Sequence, residues 1–103
     1  MGRSQLKVFV GKGSGFTVPA EMTIREVGAV QEDLLTLLGR KNKRFELQMG
    51  SVVRIDTAAV QVLLSAKRTA EKAGRHIEFI DPSERCLEVT RQLGLDHDLF
   101  GQP

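Results

Sequence analysis

Hydrophobic and polar residues alternate along the chain with two different periods, and each period predicts one type of element. A period of two predicts strands, and this pattern occupies residues 6–10, 16–18, 44–49 and 76–80. A period near 3.6 predicts amphipathic helices, and this pattern occupies residues 24–38, 57–73 and 82–93. Residues 95–100 predict a short terminal turn that packs back onto the rest. The predicted order of strands and longer helices is β-β-α-β-α-β-α.

The alternation within the strands also predicts how the sheet is covered. Strands that alternate with helices form right-handed βαβ units around a mostly parallel sheet. In residues 44–49 and 76–80 apolar side chains alternate with charged or polar ones, whereas a sheet covered on both faces has continuously apolar strands. We therefore predict an α/β fold with a mixed, mostly parallel sheet of about four to five strands and helices mainly on one face. We expect a single domain over residues 1–103, with its core at about residues 16–100.

Capping residues predict where two of the helices begin. Thr23 and Glu26 have the spacing of a capping box before the first helix. Asp81 is predicted to cap the third helix, with Pro82 in the first turn and Glu84 at the box position.

The glycine-rich segment Gly11–Gly15 lies between the first two predicted strands. A phosphate-binding P-loop places its lysine directly after the last glycine, where a helix begins. Here Lys12 lies between glycines and a strand follows, so no helix N-terminus is available for an anion. We interpret the segment as the tip of a β-hairpin.

Composition and charge exclude several classes of function. The net charge is only +2, and the five Phe residues do not interleave with basic ones, so we predict no nucleic-acid binding. The basic cluster of Arg40, Lys41, Lys43 and Arg44 is interpreted as a solvated helix end, with a phosphate-binding or membrane-facing patch as the alternative. The sequence has no apolar run that would span a membrane and no secretory signal. With the lone cysteine Cys86, these features predict a cytoplasmic protein without direct membrane insertion.

Few residues are candidates for catalysis or metal binding. His76 and His97 have no nucleophile close in sequence, and Asp96–Asp98 lacks the second cluster that a metal site needs. Cys86 lies near a helix start, where the dipole lowers a thiol pKa, but a buried apolar role is favoured for it. We predict no catalytic residue, no metal and no cofactor. A small enzyme or nucleotide binder is retained only as a third alternative.

The segment "RIDTAAVQVLL", Arg54–Leu64, joins a predicted strand to the second helix. Asp56 or Thr57 can accept hydrogen bonds from the free N–H groups of the first helical turn. Because both stand together, one hydroxyl is left over, and Ala58 and Ala59 are expected to let a partner approach the backbone closely. A phosphate on Thr57 would add about −1.5 to −2 charges. The helix N-terminus tolerates that charge, whereas an apolar or acidic partner surface does not.

Three segments in this order resemble the STAS domain, the fold of the anti-sigma factor antagonists. They are "VPAEMTI", "FELQMGSVVRIDTAAVQVLLSAKRTAEKAG" and "IEFIDPSERCLEVTRQLGLDHDLF". The second resembles the family's D-[ST]-x-G-L junction with its helix, and the third resembles the L-x-x-x-G-L-D-x-L-F ending. The resemblance implies a STAS fold and a non-catalytic interaction module. It also implies that Thr57, the hydroxyl after the junction Asp56, is a phospho-acceptor or switch.

The resemblance further implies a partner-binding surface at the start of the second helix. Its residues are Asp56, Thr57, Ala58, Ala59, Val60 and Gln61. The sequence departs from the family pattern where Ala59-Val60 replaces Gly-Leu and where Gln48 replaces an acid on the preceding strand.

The implied partners are a histidine-kinase-like or anti-sigma kinase, a chemotaxis component, or the ATPase of an ABC complex. A bacterial signalling partner is the main hypothesis. A STAS subunit of a lipid-transporting ABC complex (Mla type) is the alternative, and the oligomeric state is left open.

Overall fold

A computed structural model describes residues 7–8, 14–38 and 44–101 of the 103-residue chain. The helices and strands follow in the order β1 (Lys7–Val8), β2 (Ser14–Thr17), β3 (Glu21–Met22), α1 (Ile24–Leu38), β4 (Arg44–Gln48), β5 (Arg54–Ile55), α2 (Thr57–Lys72), β6 (His76–Ile80), α3 (Glu84–Leu93) and α4 (Asp96–Phe100). The predicted order is confirmed, and the two short strands β3 and β5 are additions to it. The predicted terminal turn is α4.

Four of the strands form a mostly parallel sheet with the order β1-β2-β4-β6. β2, β4 and β6 run parallel, and their register places Phe16 beside Leu47 and Leu47 beside Phe79. β1 pairs antiparallel with β2, as expected for a hairpin. The hairpin tip, residues 9–13, lies outside the described residues, and Ser14 and Gly15 of the glycine-rich segment belong to β2. The predicted mixed α/β sheet is confirmed.

One face of this sheet is buried beneath helices and the other is polar. Phe45 and Leu47 of β4 are buried, and so are Ile77 and Phe79 of β6. The residues between them point the other way, and Glu46 is half-buried there. This period-two pattern is the one that the strand sequences predict, because successive side chains of a strand point to opposite faces. The prediction of helices mainly on one face is therefore confirmed.

The longer helices all begin at the carboxyl edge of the sheet. α1 follows β2 by way of β3, α2 follows β4 by way of β5, and α3 follows β6 directly. At that edge β3 and β5 pair in parallel to form a separate two-stranded sheet. The carbonyl oxygen of Ala20 accepts the N–H groups of Val53 (2.8 Å) and Arg54 (3.2 Å). These bonds hold the starts of α1 and α2 side by side.

The prediction that Asp81 caps the third helix, with Glu84 at the box position, is wrong. α3 begins at Glu84, and its cap is Ser83, whose hydroxyl accepts the N–H of Cys86 at 3.2 Å. Asp81 instead adopts a left-handed conformation with φ of 53°, and the turn there delays the helix by two residues. The turn passes close to Gly50, where a Cβ atom would lie 3.2 Å from Asp81 Oδ2.

Candidate functional site

The first turn of α2 is capped by Asp56. The carboxylate oxygen Oδ1 accepts the N–H of Ala59 at 2.9 Å, and the Asp56 carbonyl accepts the N–H of Val60 at 3.1 Å. The backbone of Asp56 is extended, with φ −116° and ψ 175°, as is usual for an N-cap residue. Of the two cap candidates in the sequence, Asp56 is therefore the cap and Thr57 is the first helical residue.

The second oxygen of the same carboxylate caps another helix. Asp56 Oδ2 accepts the N–H of Ile24, the first residue of α1, at 2.9 Å. The N–H of Asp56 in turn donates to the carbonyl of Met22 at 3.2 Å. One negative charge thus lies at two helix N-termini, where the helix dipoles favour it. The junction is fixed from both sides, and its geometry does not depend on Thr57.

The start of α1 has its own capping interaction, at the position that the sequence predicts. Glu26 Oε1 accepts the backbone N–H of Thr23 at 3.1 Å and the Thr23 hydroxyl at 2.6 Å. The pKa of Glu26 is lowered, first by the side-chain hydrogen bond and then by the backbone hydrogen bond from Thr23. The glutamate half of the predicted capping box is confirmed. The Thr23 hydroxyl donates to Glu26 and accepts the backbone N–H of Arg25 at 3.4 Å, so it caps the N–H two residues on and not the one three residues on.

The six residues of the predicted partner surface differ in exposure, with two exposed, two half-buried and two buried. Thr57 and Gln61 are exposed, and Asp56 and Ala58 are half-buried. Ala59 and Val60 are 0% exposed and belong to the core, because they lie on the face of α2 that packs toward the sheet. The expectation that Ala59 leaves the turn open is therefore wrong, and Val60 supports this surface from beneath. Whether a partner binds here stays a prediction.

The side chain of Thr57 is exposed at the start of α2. Its hydroxyl makes no hydrogen bond to another described residue, and the side chain faces solvent. A hydroxyl in this position is accessible to a modifying enzyme or to a partner surface. Its backbone is meanwhile held in the first helical turn by the cap at Asp56.

A pocket of about 380 Å³ lies beside this junction. Its walls are residues 23–25 at the start of α1, residues 54–56 at the end of β5, and Arg85 in the first turn of α3. Three arginines are among its lining residues, Arg25, Arg54 and Arg85. Local sequence patterns do not predict this pocket, because its arginines come from three distant segments. The predicted topology does bring them together, because each of those segments follows a predicted parallel strand and the carboxyl ends of parallel strands lie at one edge of the sheet.

The other candidates from the sequence carry no reactive arrangement. Burial raises the pKa of the Cys86 thiol, against the opposing hydrogen bonds from Ser83, so the lowered pKa considered for a helix start is not found. His76 and His97 are both exposed. Among the described residues, no group of three or more His, Cys, Asp or Glu side chains has the arrangement of a metal site.

Arg44 is the residue of the predicted basic cluster that lies in the described part of the chain. Arg40, Lys41 and Lys43 lie outside the described residues, whereas Arg44 forms an exposed ion pair with Glu78 at 2.8 Å. Within the described part of the chain, no helix combines the length and apolarity needed to cross a membrane.

Comparison with known families gives one clear match. A family described as "Mlab, STAS domain" matches residues 10–101, which is most of the chain. No individual curated protein matches the sequence significantly. The matched range contains every element from β2 to α4, including the junction at Asp56 and the three pocket arginines.

Proposed function

Since the chain belongs to the STAS domain family, we propose that it docks a bacterial signalling partner through the first turn of α2. STAS domains are generally regulatory, non-catalytic modules that mediate protein–protein interactions. In this proposal Thr57, Ala58 and Gln61 contact the partner, while Asp56 holds the turn in place. Ala59 and Val60 anchor the turn to the core.

The observation that carries the proposal is the Thr57 side chain. It is exposed on a turn that Asp56 fixes through hydrogen bonds to Ala59 and Ile24. A preorganised surface binds a partner without first losing the entropy of an ordered loop. A hydroxyl that makes no hydrogen bond to another described residue can also be phosphorylated without unfolding the domain.

We propose further that phosphorylation of Thr57 releases the partner. A kinase would transfer the γ-phosphoryl group of ATP to the Thr57 oxygen, with ADP as the leaving group and the hydroxyl proton passing to a base of the kinase. The phosphate adds about −1.5 to −2 charges. The N-terminus of α2 accommodates this charge. A partner docked on the turn would instead have to contact a hydrated anion in place of the methyl and hydroxyl groups of threonine, which weakens its binding.

A charge substitution at Thr57 tests the docking surface. We expect Thr57→Glu to keep the fold and to lower partner capture in a quantitative pull-down by about tenfold or more, equivalent to about 1.4 kcal/mol. The matched control is Ser65→Glu, since Ser65 is an exposed hydroxyl residue in the middle of the same helix. Equal capture by wild type and Thr57→Glu would contradict the proposal.

Intact-protein mass spectrometry tests the switch separately from the docking. We expect the chain purified from its own host to carry one phosphate that is absent from Thr57→Ala. A phosphate retained in Thr57→Ala, or no phosphate under conditions in which the partner is released, would refute the switch and leave docking intact.

A second candidate function is constitutive docking to the ATPase of a lipid-transporting ABC complex. The description of the matching family as "Mlab, STAS domain" favours it, and it uses the same surface without phosphorylation. Genes beside this one distinguish the candidates: kinase or chemotaxis genes favour the signalling role, and transporter genes favour the lipid-transport role. Co-purification of an ATPase with a chain that never carries phosphate would replace the first candidate by the second.

A further inference from the structure

We infer that the partner binds with an acidic segment, carrying at least one apolar side chain, in the pocket of Arg25, Arg54 and Arg85. The inference rests on the proposed function, because it assigns the chemistry of the partner that the α2 surface receives. It differs from that proposal in its residues, since none of the three arginines belongs to the predicted surface at residues 56–61.

The topology concentrates positive charge at this place. The residues that line the pocket come from the start of α1, from the segment that enters α2 and from the first turn of α3, and the N-terminal turn of a helix carries a partial positive charge. The carboxylate of Asp56 is the acid among the lining residues. Both of its oxygens accept backbone N–H groups, so they are already engaged near the arginines.

The arginines are available to exchange partners. Arg54 pairs with Glu21 at 3.7 Å, and Arg85 pairs with Glu88 one turn along α3. Both pairs are exposed, and such surface pairs hold their members weakly. Within the described ranges, the Arg25 guanidinium has neither an ion pair nor a side-chain hydrogen bond. Carboxylates of a partner can therefore take up all three guanidinium groups, with the bidentate geometry that arginine favours.

Apolar side chains beside the arginines favour a protein segment over a small anion. Ile24, which lines the pocket, is 69% exposed, and Val53, next to Arg54 in the chain, is 63% exposed. They are the two most exposed large hydrophobic residues among those described. Leu93, at 36%, lies at the far end of α3. Val53 is not among the residues that line the pocket, so Ile24 carries this argument. A free phosphate leaves Ile24 exposed to water, whereas a segment that carries acidic and apolar side chains covers it and meets the arginines together.

The same chemistry accounts for how a phosphate on Thr57 acts at a distance from the pocket. Thr57 directly follows Asp56, which lines the pocket. A phosphate there places about −1.5 to −2 charges beside an acidic partner segment and competes with that segment for the arginines. Docking and release of the partner then both depend on the positive charge of the three pocket arginines.

Selection from a displayed library of random peptides tests the inference without knowledge of the partner. The bait is the full chain, and the probes are peptides of about twelve residues, long enough to cover the pocket. The counter-selection uses the triple variant Arg25→Gln, Arg54→Gln, Arg85→Gln. The matched control is Arg68→Gln, Lys72→Gln, Arg91→Gln, which removes the same charge from exposed positions on α2 and α3.

The inference predicts selected peptides rich in Asp and Glu with at least one apolar residue. Their affinity, measured by fluorescence anisotropy, falls about tenfold or more in the pocket variant and also between about 50 and 300 mM NaCl. The control variant binds within about twofold of wild type. Failure to enrich acidic peptides, or equal binding by the pocket variant, overturns the inference. Arginine-dependent binding to phosphatidylglycerol vesicles without acidic peptides overturns it in favour of a lipid surface.

The Thr57→Glu variant separates this inference from the proposed function. Acidic peptides that bind wild type and Thr57→Glu equally support the arginine pocket and contradict a switch at Thr57. The opposite result, in which Thr57→Glu loses the natural partner while the pocket variant retains it, upholds the docking surface and overturns the acidic segment.

Discussion

The first turns of α2 and α3 have the same place in the topology but use their hydroxyl groups differently. Both helices begin at the carboxyl edge of the sheet, and in both a side chain accepts the N–H of the residue three positions on. In α3 the acceptor is the hydroxyl of Ser83. In α2 the acceptor is the carboxylate of Asp56, and the hydroxyl of Thr57 follows it on the surface.

In the proposed function, this difference separates the residue that stabilises α2 from the residue that contacts the partner. The Ser83 oxygen already accepts the Cys86 N–H, so a change to this side chain also changes the cap of α3. Thr57 carries the same chemical group one residue further along, where the helix does not need it. In the proposed function, a carboxylate cap followed by a hydroxyl lets Thr57 change its charge while the cap of α2 stays in place.

The largest effect on stability is expected at the shared cap. Asp56→Ala removes the acceptors of both Ala59 and Ile24, so the cost is about two caps, or roughly 2–3 kcal/mol. Urea denaturation measures it as a lower free energy of unfolding. The control Asp98→Ala, at an exposed position in the short helix α4, changes stability by less than about 0.5 kcal/mol. A loss at Asp56 no larger than the control would contradict the double cap.

A smaller loss is expected at the hydroxyl cap of α3. Ser83→Ala removes one neutral acceptor, which costs about 1 kcal/mol. In the same denaturation series this variant falls between Asp56→Ala and wild type. If Ser83→Ala is as destabilising as Asp56→Ala, the carboxylate does not serve two helices.

Loss of the free hydroxyl is expected to leave stability nearly unchanged. Thr57→Ala removes a side chain that makes no hydrogen bond within the described residues, so the free energy of unfolding shifts by less than about 0.5 kcal/mol. Thermal unfolding of Thr57→Ala and Ser83→Ala under the same conditions compares the contributions of the two hydroxyl groups to stability. A loss of about 1 kcal/mol or more at Thr57 would mean that the fold uses this hydroxyl after all.

The smallest effect concerns pH and the capping box of α1. The pKa of Glu26 is below its ordinary value of 4.5 in the folded chain, so its contribution is complete above pH 4.5 and is lost as the pH falls through the lowered value. We expect wild type to be more stable than Glu26→Gln near neutral pH and the two to converge in acid. The exposed Glu32→Gln is the matched control. A difference that persists unchanged in acid would contradict the charged capping box.

The sequence predicted the features that depend on near neighbours. The order of strands and helices, the Thr23–Glu26 pair and a cap at the start of α2 all arise from residues a few positions apart. The pattern of period two in β4 and β6 also predicted one covered face, because it records the environment of each side chain directly. β3 and β5 have two residues each, which is too short for any period to be visible.

The features missed in the sequence depend on contacts between distant segments. The bond from Ile24 to Asp56 spans 32 positions, and the pocket arginines come from three separate helix starts. The wrong cap at Asp81 has a similar cause, because Asp81 and Ser83 on either side of Pro82 are both residue types that cap helices. The backbone turn at Asp81 decides between them, and that turn depends on how β6 continues its pairing with Met49.

The most direct test of the account maps where the natural partner touches the chain. The partner recovered with wild type is added to deuterated, isotope-labelled chain, and cross-saturation NMR records which amides lie within the interface. We expect saturation at Thr57, Ala58 and Gln61 and at the neighbouring start of α1. Saturation confined to the polar face of the sheet, around Glu46 and Glu78, would contradict the docking surface at α2.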